Sequence, residues 1–113
     1  MSERNTDFLL QDIAEAICNI FAFTDDFTLD KYRTDIKTRH AVEHNFMIIG
    51  EAVARLPESY KFQNNQINWR LVKDFRNVIV HDYFGIDATI VWDIIQNSLP
   101  DLQNKIDLLL ENK

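Results

Sequence analysis

Apolar residues recur at the three- and four-residue spacing of an α-helix in four long stretches of the chain. Three of these stretches are residues 7–23, residues 69–81 and the segment that follows Asp87. The clearest case is residues 35–56, where one stripe consists of Val42, Phe46, Ile49, Val53 and Leu56. Such stripes predict amphipathic helices that bury one side. With a short helix that starts after Thr28 and runs to about Arg33, they predict an all-α, up-down bundle of four to five helices.

Capping residues and a helix breaker predict several of the helix boundaries. Thr6 and Asn68 each precede an apolar pattern, and their side chains can accept hydrogen bonds from the first turn of a helix. Pro57 cannot continue a helix, so residues 58–67 are predicted to form a polar loop.

The last predicted helix contains a proline. Gly85 is expected to end the preceding helix, and Asp87 to cap the last one. Pro100 lies inside the apolar pattern, which predicts a kink there or a break into two helices. Trp92 is expected to pack in the core or against a neighbouring helix.

The composition favours a single helical domain over residues 1–113. Hydrophobic residues make up 46% of the chain, and Gly and Pro occur twice each, so turns are few. The one cysteine, Cys18, permits no internal disulfide, behaves as a small hydrophobe and suits a cytoplasmic protein. Apolar runs of about four residues are far shorter than the ~20 that a membrane helix needs, and no secretory signal is evident. We therefore expect no membrane association.

Basic residues align on one side of the second long helix. The net charge of −6 counts against nucleic-acid binding unless the cations are clustered. At about 100° per residue, Lys37, His40 and His44 stack opposite the apolar stripe, and Arg33 joins them if the preceding helix runs on. These four residues are called the basic strip below. The basic strip is either an ordinary solvated surface or a surface for RNA phosphates.

His40 and His44 also have the i, i+4 spacing of two zinc ligands on a helix. However, Ala41 stands where metalloproteases carry a Glu, and Cys18 offers no obvious third ligand. We therefore predict no metal site.

The helix from Trp69 to His81 has one apolar side and two flanks. The apolar side consists of Leu71, Val72, Phe75, Val78 and Ile79. One flank carries Arg70, Asn77 and His81, with Asp74 beside them, and the other carries Trp69, Lys73, Arg76 and Val80. An aromatic and an aliphatic residue beside two cations predict a contact with another protein.

Arg76, His81 and Tyr83 lie within eight residues and are the candidate chemical groups. Arginine binds phosphate through a planar donor fork, and histidine transfers protons near neutral pH, which suggests phosphodiester chemistry or a phosphate-binding site. On a regular helix, positions 76 and 81 differ by about 140°. Either the helix unwinds near His81, or a second copy of the chain completes the site across a two-fold axis.

The stretch Arg76-Asn-Val-Ile-Val-His81-Asp-Tyr83 resembles the signature of the HEPN superfamily, which is Arg, four residues, His, any residue, Tyr. Asn77 matches the polar residue that commonly follows that Arg. The flanking sequences at 48–52 (Ile-Ile-Gly-Glu-Ala), 84–87, 91–93 and 96–100 are similar to those of HepT-like toxins from bacterial and archaeal toxin–antitoxin pairs.

The resemblance implies a homodimer in which the two signatures meet, and a metal-independent endoribonuclease that cleaves tRNA or mRNA. The ribose 2′-OH would attack the adjacent phosphate, leaving a 2′,3′-cyclic phosphate and a 5′-OH. His81 would act as general base or acid, and Arg76 would stabilise charge in the transition state. Asn77 would orient the imidazole or donate to phosphate, and Asp82 would oppose phosphate or hold His81 cationic. RNA would be bound by Arg70, Lys73, Lys37, His40 and His44.

The resemblance also implies a partner, a minimal nucleotidyltransferase that acts as the antitoxin in a type II or type VII system. Such partners can transfer AMP from ATP to the signature tyrosine, here Tyr83. The added nucleotide would fill the cleft with bulk and negative charge and exclude RNA. No cofactor of the toxin itself is implied.

Two alternatives remain open. The domain could be a non-catalytic helical module that binds a nucleotidyltransferase or a nucleotide. Alternatively, Arg76 could be a surface ion-pair residue, with His81 capping the helix and Tyr83 packed in the core.

Overall fold

The structure, a computed structural model, describes the backbone of residues 3–82 and 88–111, with the side chains of all but residues 3, 4, 78 and 80–82 in those ranges. Its α-helices are α1 (Glu3–Thr24), α2 (Leu29–Thr34), α3 (Ile36–Arg55), α4 (Glu58–Gln63), α5 (Trp69–Asp82), α6 (Ala88–Asp93) and α7 (Leu99–Glu111). A π-helical turn, Ile94–Ser98, joins the last two. These ranges contain no strand, so the predicted all-α fold is confirmed.

The core lies among the long helices, with α3 at its centre. Helix α3 packs against both α1 and α5, and α1 also packs against α7. The predicted apolar stripe of α3 is confirmed, because its five residues, from Val42 to Leu56, are all buried. Phe46 of this stripe meets Phe75 of α5 edge to face, with ring centroids 5.7 Å apart, an arrangement that aromatic pairs favour.

Helix boundaries follow the predicted caps in one case and depart from them in another. Asn68 caps α5 as predicted, since its Oδ1 accepts a hydrogen bond from the backbone N–H of Leu71 at 3.1 Å. The prediction for Thr6 is wrong, because α1 begins at Glu3 and Thr6 is a buried residue within it. The predicted positions of Gly85 and Asp87 lie outside the described residues.

The segment 58–67 contains a short helix where a loop was predicted. Pro57 has φ −60° and ψ 142°, and it both ends α3 and precedes the first turn of α4. A proline before a first turn is tolerated because the N–H that it lacks has no partner there in any helix. Lys61 fastens α4 to α3, as its Nζ donates to the carbonyl of Val53 at 3.2 Å.

Trp69 and Leu71 exchange the environments that the helix pattern predicted for them. Trp69 is 7% exposed, its Nε1 donates to the carbonyl of Asn64 at 3.1 Å, and its ring lies 6.4 Å from that of Tyr60. Leu71, predicted to be buried, is 49% exposed. The contacts with Tyr60 and Asn64 of the α4 segment account for the burial of Trp69. Trp69 therefore cannot form the predicted outward pair with Val80, whose side chain is outside the described set.

The irregularity at Pro100 takes the form of a wider turn. The backbone N–H of Leu99 donates to the carbonyl of Ile94, five residues earlier, and α7 continues from there. The two parts are joined by the π-helical turn and are not separated by a loop. Trp92 packs as predicted against a neighbouring helix, with its ring 5.5 Å from that of Tyr32. Cys18, by contrast, lies on α1 as an exposed side chain.

Among the helices of the described ranges, none has the length and apolar character needed to cross a membrane.

Candidate active site

Arg76 lies where α5 approaches α3 most closely. A Cβ atom built on Gly50 of α3 would stand 2.9 Å from the Cβ of Arg76 and 3.4 Å from its Cδ. Real Cβ atoms essentially never come so close. The glycine therefore lets the backbone of α3 pass directly against the aliphatic stem of the arginine, which is what a residue without a side chain permits.

The guanidinium of Arg76 forms an ion pair with the residue that follows that glycine. Its Nη1 donates to Oε1 of Glu51. The Arg76 side chain is 34% exposed and that of Glu51 is 59% exposed. An arginine has five N–H donors. Within the described residues, the hydrogen bond that this side chain makes uses Nη1 and does not engage Nη2 or Nε.

The backbone of α5 is helical as far as Asp82 and therefore includes position 81. The helix thus does not unwind before His81, and the predicted divergence of about 140° between positions 76 and 81 applies. Completion of the site by a second copy stays a prediction. The side chains of His81 and Asp82, and all of Tyr83, lie outside the described residues.

The other polar residues predicted on α5 are exposed. Asn77 donates from Nδ2 to Oδ1 of Asp74 at 3.4 Å, a long hydrogen bond between neighbours on the helix surface. Arg70 and Lys73 are exposed on the same helix. All of these side chains are therefore accessible to a ligand, and Arg76 is the one held against a second helix.

The basic strip is divided between two helices. Lys37, His40 and His44 are exposed on α3, as predicted. Arg33 belongs to α2, which ends at Thr34, and Asp35 then caps α3. Because the two helices are not continuous, Arg33 does not line up with the other three residues of the basic strip. Its Nη2 instead donates to Oγ1 of Thr89 at 3.3 Å.

No group of three or more His, Cys, Asp or Glu side chains within the described ranges is arranged to hold a metal ion. Both His40 and His44 face solvent.

Glu51 is the site residue to which the sequence assigned no role. The stretch that contains it, residues 48–52, was singled out only for its resemblance to a family. A signal was nevertheless present, because a glycine at the middle of a long helix costs about 0.5–1 kcal/mol relative to alanine and suggests a close contact. The sequence does not say which element makes that contact.

Comparisons with known proteins agree with the signature that begins at Arg76. A family model described as "Ribonuclease HepT-like" matches residues 13–109. A protein of Methanocaldococcus jannaschii named "Putative RNase MJ0127" is 35% identical over 112 residues, which cover 99% of this chain and 93% of that protein. "Probable ribonuclease HepT" of Thermococcus cleftensis is 35% identical over 109 residues, covering 96% of this chain and 98% of the relative. No solved structure is a significant match. The resemblance seen in the sequence is therefore confirmed, and the chain belongs to the ribonuclease HepT-like family of the HEPN superfamily.

Proposed function

We propose that this protein is a metal-independent endoribonuclease, the toxin of a toxin–antitoxin pair, and that two copies of the chain form its active site. The observation that carries the proposal is the placement of Arg76, partly exposed and packed against α3, on a helix that continues unbroken through position 81. The names of the relatives, which include ribonuclease and RNase, support the same class of substrate.

The proposed reaction is a transesterification within RNA. The ribose 2′-OH attacks the adjacent phosphorus as its proton passes to a base, and the bond to the 5′-oxygen of the next nucleotide breaks as that oxygen gains a proton. The products are a 2′,3′-cyclic phosphate and a 5′-OH. Because RNA supplies its own nucleophile, the step requires no metal-bound water.

Three groups of this chain have roles in the step. His81 transfers protons as general base or acid, a role typically worth ~10²–10⁴-fold in rate. Arg76 donates to the phosphate oxygens on which charge increases in the transition state. Asn77 orients the imidazole or donates to phosphate, while Arg70, Lys73 and the α3 part of the basic strip bind the RNA backbone.

The geometry of α5 supports the proposal of a second copy. Neither copy alone directs positions 76 and 81 to one phosphodiester, since they differ by about 140° on the helix. Two α5 helices related by a two-fold axis would bring Arg76 of each copy near His81 of the other.

The proposed regulator is a minimal nucleotidyltransferase. The Tyr83 hydroxyl attacks the α-phosphorus of ATP, pyrophosphate leaves and the phenol loses its proton, so Tyr83 carries AMP. The mass of the intact protein after co-expression with such a partner tests this step. A gain of AMP units that maps to Tyr83 is expected, and an unchanged mass in an inhibited complex would instead indicate simple occlusion.

The test of the nuclease uses purified protein, mixed tRNA and mRNA, and EDTA. Wild type should cut RNA, while His81→Ala and Arg76→Ala should not. Lys105→Ala is the matched control, because Lys105 is 36% exposed and ion-paired with Asp101 on α7. Mixing the two inactive variants should restore partial activity if each copy supplies one group to a shared site.

The Arg76–Glu51 pair also favours a second candidate function. A surface ion pair is what a purely structural arginine would make, and the domain would then be a non-catalytic module that binds a nucleotidyltransferase or a nucleotide. Under that alternative, wild type leaves RNA intact. Cleavage that EDTA abolishes would point instead to a metal site that includes His40 and His44.

A further inference from the structure

Arg76 is contacted at both ends by two consecutive residues of α3. Its Cβ lies against Gly50, and its Nη1 donates to Glu51. The two contacts lie at opposite ends of one flexible side chain. The Cβ position is set by the backbone of α5, so the contact with Gly50 brings α3 close to the stem of the side chain. The ion pair with Glu51 restrains the rotamer and with it the direction of the guanidinium.

Such a restraint matters for the proposed reaction because arginine is a flexible side chain. A free arginine loses much rotamer freedom when it binds a phosphate, and a planar fork already held in place loses less. Rate also depends on placement, since a displacement of about 1 Å of a group at the reacting centre can cost ~10²-fold.

The ion pair with Glu51 occupies only part of the donor set of the guanidinium. Within the described residues the contact with Glu51 engages Nη1, so the N–H groups of Nη2 and Nε can donate to phosphate oxygens. A carboxylate that engaged both terminal nitrogens would compete directly with phosphate for the same fork.

We propose that Glu51 is the positioning residue of the active site, holding the Arg76 guanidinium in the orientation that meets the scissile phosphate. This inference rests on the proposed ribonuclease function. Glu51 acts through Arg76 and does not itself touch RNA. Its contribution to stability is small, because exposed ion pairs contribute little, so its effect falls on the rate.

The experiment compares kcat and KM for RNA cleavage among Glu51→Ala, Glu51→Gln and wild type. Glu51→Ala should lower kcat by about 10- to 100-fold with little change in KM. Glu51→Gln should retain activity within about threefold, since its amide oxygen still accepts from Nη1. Glu51→Asp, with a side chain one methylene shorter, should resemble the alanine variant.

Asp101→Ala is the matched control. The Asp101–Lys105 pair on α7 has side chains 69% and 36% exposed, close to the 59% and 34% of Glu51 and Arg76. Its loss should leave kcat unchanged. The proposal is overturned if Glu51→Ala behaves like this control. It is also overturned if Glu51→Ala lowers KM and leaves kcat equal or higher, because Glu51 would then be a competitor of phosphate.

A second readout does not depend on cleavage. Rotation of the Arg76 guanidinium about its Nε–Cζ bond, measured by ¹⁵N NMR, should be slow in wild type and Glu51→Gln and fast in Glu51→Ala. If wild type cuts no RNA, the ribonuclease proposal fails while this measurement still tests the restraint. Equally fast rotation in all three proteins would overturn the positioning role even if RNA is cut.

Discussion

Gly50→Ala adds a single methyl group at the contact between α3 and α5. At an ordinary position inside a helix this change stabilises a protein by about 0.5–1 kcal/mol, because alanine is the better helix former. Here the new Cβ would lie 2.9 Å from the Cβ of Arg76. That atom is attached directly to the backbone of α5, so it cannot move aside by changing rotamer, and the two helices must separate.

Whether Gly50→Ala stabilises or destabilises the protein depends on which is larger, the cost of overpacking or the gain in helix propensity. Overpacking of a well-packed contact typically costs about 1–3 kcal/mol. Subtracting about 1 kcal/mol of gained helix propensity leaves a net loss of about 1 kcal/mol in the free energy of unfolding. For a domain of this size the melting temperature should fall by about 4 °C. The rate of RNA cleavage should also fall, and by more than the loss of folded protein explains, because the separation of the helices moves Arg76.

Urea unfolding followed by circular dichroism measures the change in the free energy of unfolding, and Ala54→Gly is the control variant. Ala54 is exposed on α3, so its replacement reports helix propensity alone and should cost about 1 kcal/mol. Adding Arg76→Ala to Gly50→Ala should not restore stability, since alanine keeps the Cβ that clashes. If Gly50→Ala stabilises the protein by as much as Ala54→Gly destabilises it, then α3 and α5 are not in contact at Gly50 and the argument is refuted.

Two further predictions concern positions outside the site. Trp69→Phe should destabilise the protein by about 1–3 kcal/mol in urea unfolding, because it removes the hydrogen bond to Asn64 and part of a buried ring; no change would mean that Trp69 is a surface residue after all. The backbone N–H of Thr38 donates to Asp35 and lowers the pKa of that carboxyl below its usual 3.8. This cap therefore contributes stability that is fully present above about pH 4 and is lost as the pH falls through the lowered value. Asp35→Asn keeps a neutral cap, so wild type should lose stability relative to Asp35→Asn on acidification, and parallel curves would contradict this.

Rules that act within one helix predicted much of the fold. The stripe from Val42 to Leu56 and the cap at Asn68 depend only on helical periodicity and on local hydrogen bonds, and both are confirmed. Trp69 and Leu71 were misplaced because a helical wheel assumes a single buried direction. Trp69, in the first turn of α5, packs against Tyr60 and Asn64 of the α4 segment, and the polar composition of residues 58–67 gave no sign that a helix forms there.

In the candidate site, too, the sequence did not predict which residues of different helices come into contact. Arg76 and its position on α5 could be found from the sequence, because signature and periodicity lie in one continuous segment. Glu51 is 25 residues away on another helix, and its contact with Arg76 exists only because α3 and α5 pack together. The glycine beside it indicated a close contact without indicating the partner.

The contact with α3 also strengthens the argument for a two-copy site. An arginine free on its helix could swing toward position 81 and reduce the angular separation between the two groups. The ion pair with Glu51 instead directs the Arg76 guanidinium toward α3, and the backbone of α5 stays helical through Asp82, so positions 76 and 81 keep their separation of about 140°. Along the helix axis, five residues add about 7.5 Å. In the proposed reaction, the histidine that shares a phosphodiester with this guanidinium therefore comes from the α5 of a second copy of the chain, and the mixing of His81→Ala with Arg76→Ala tests this.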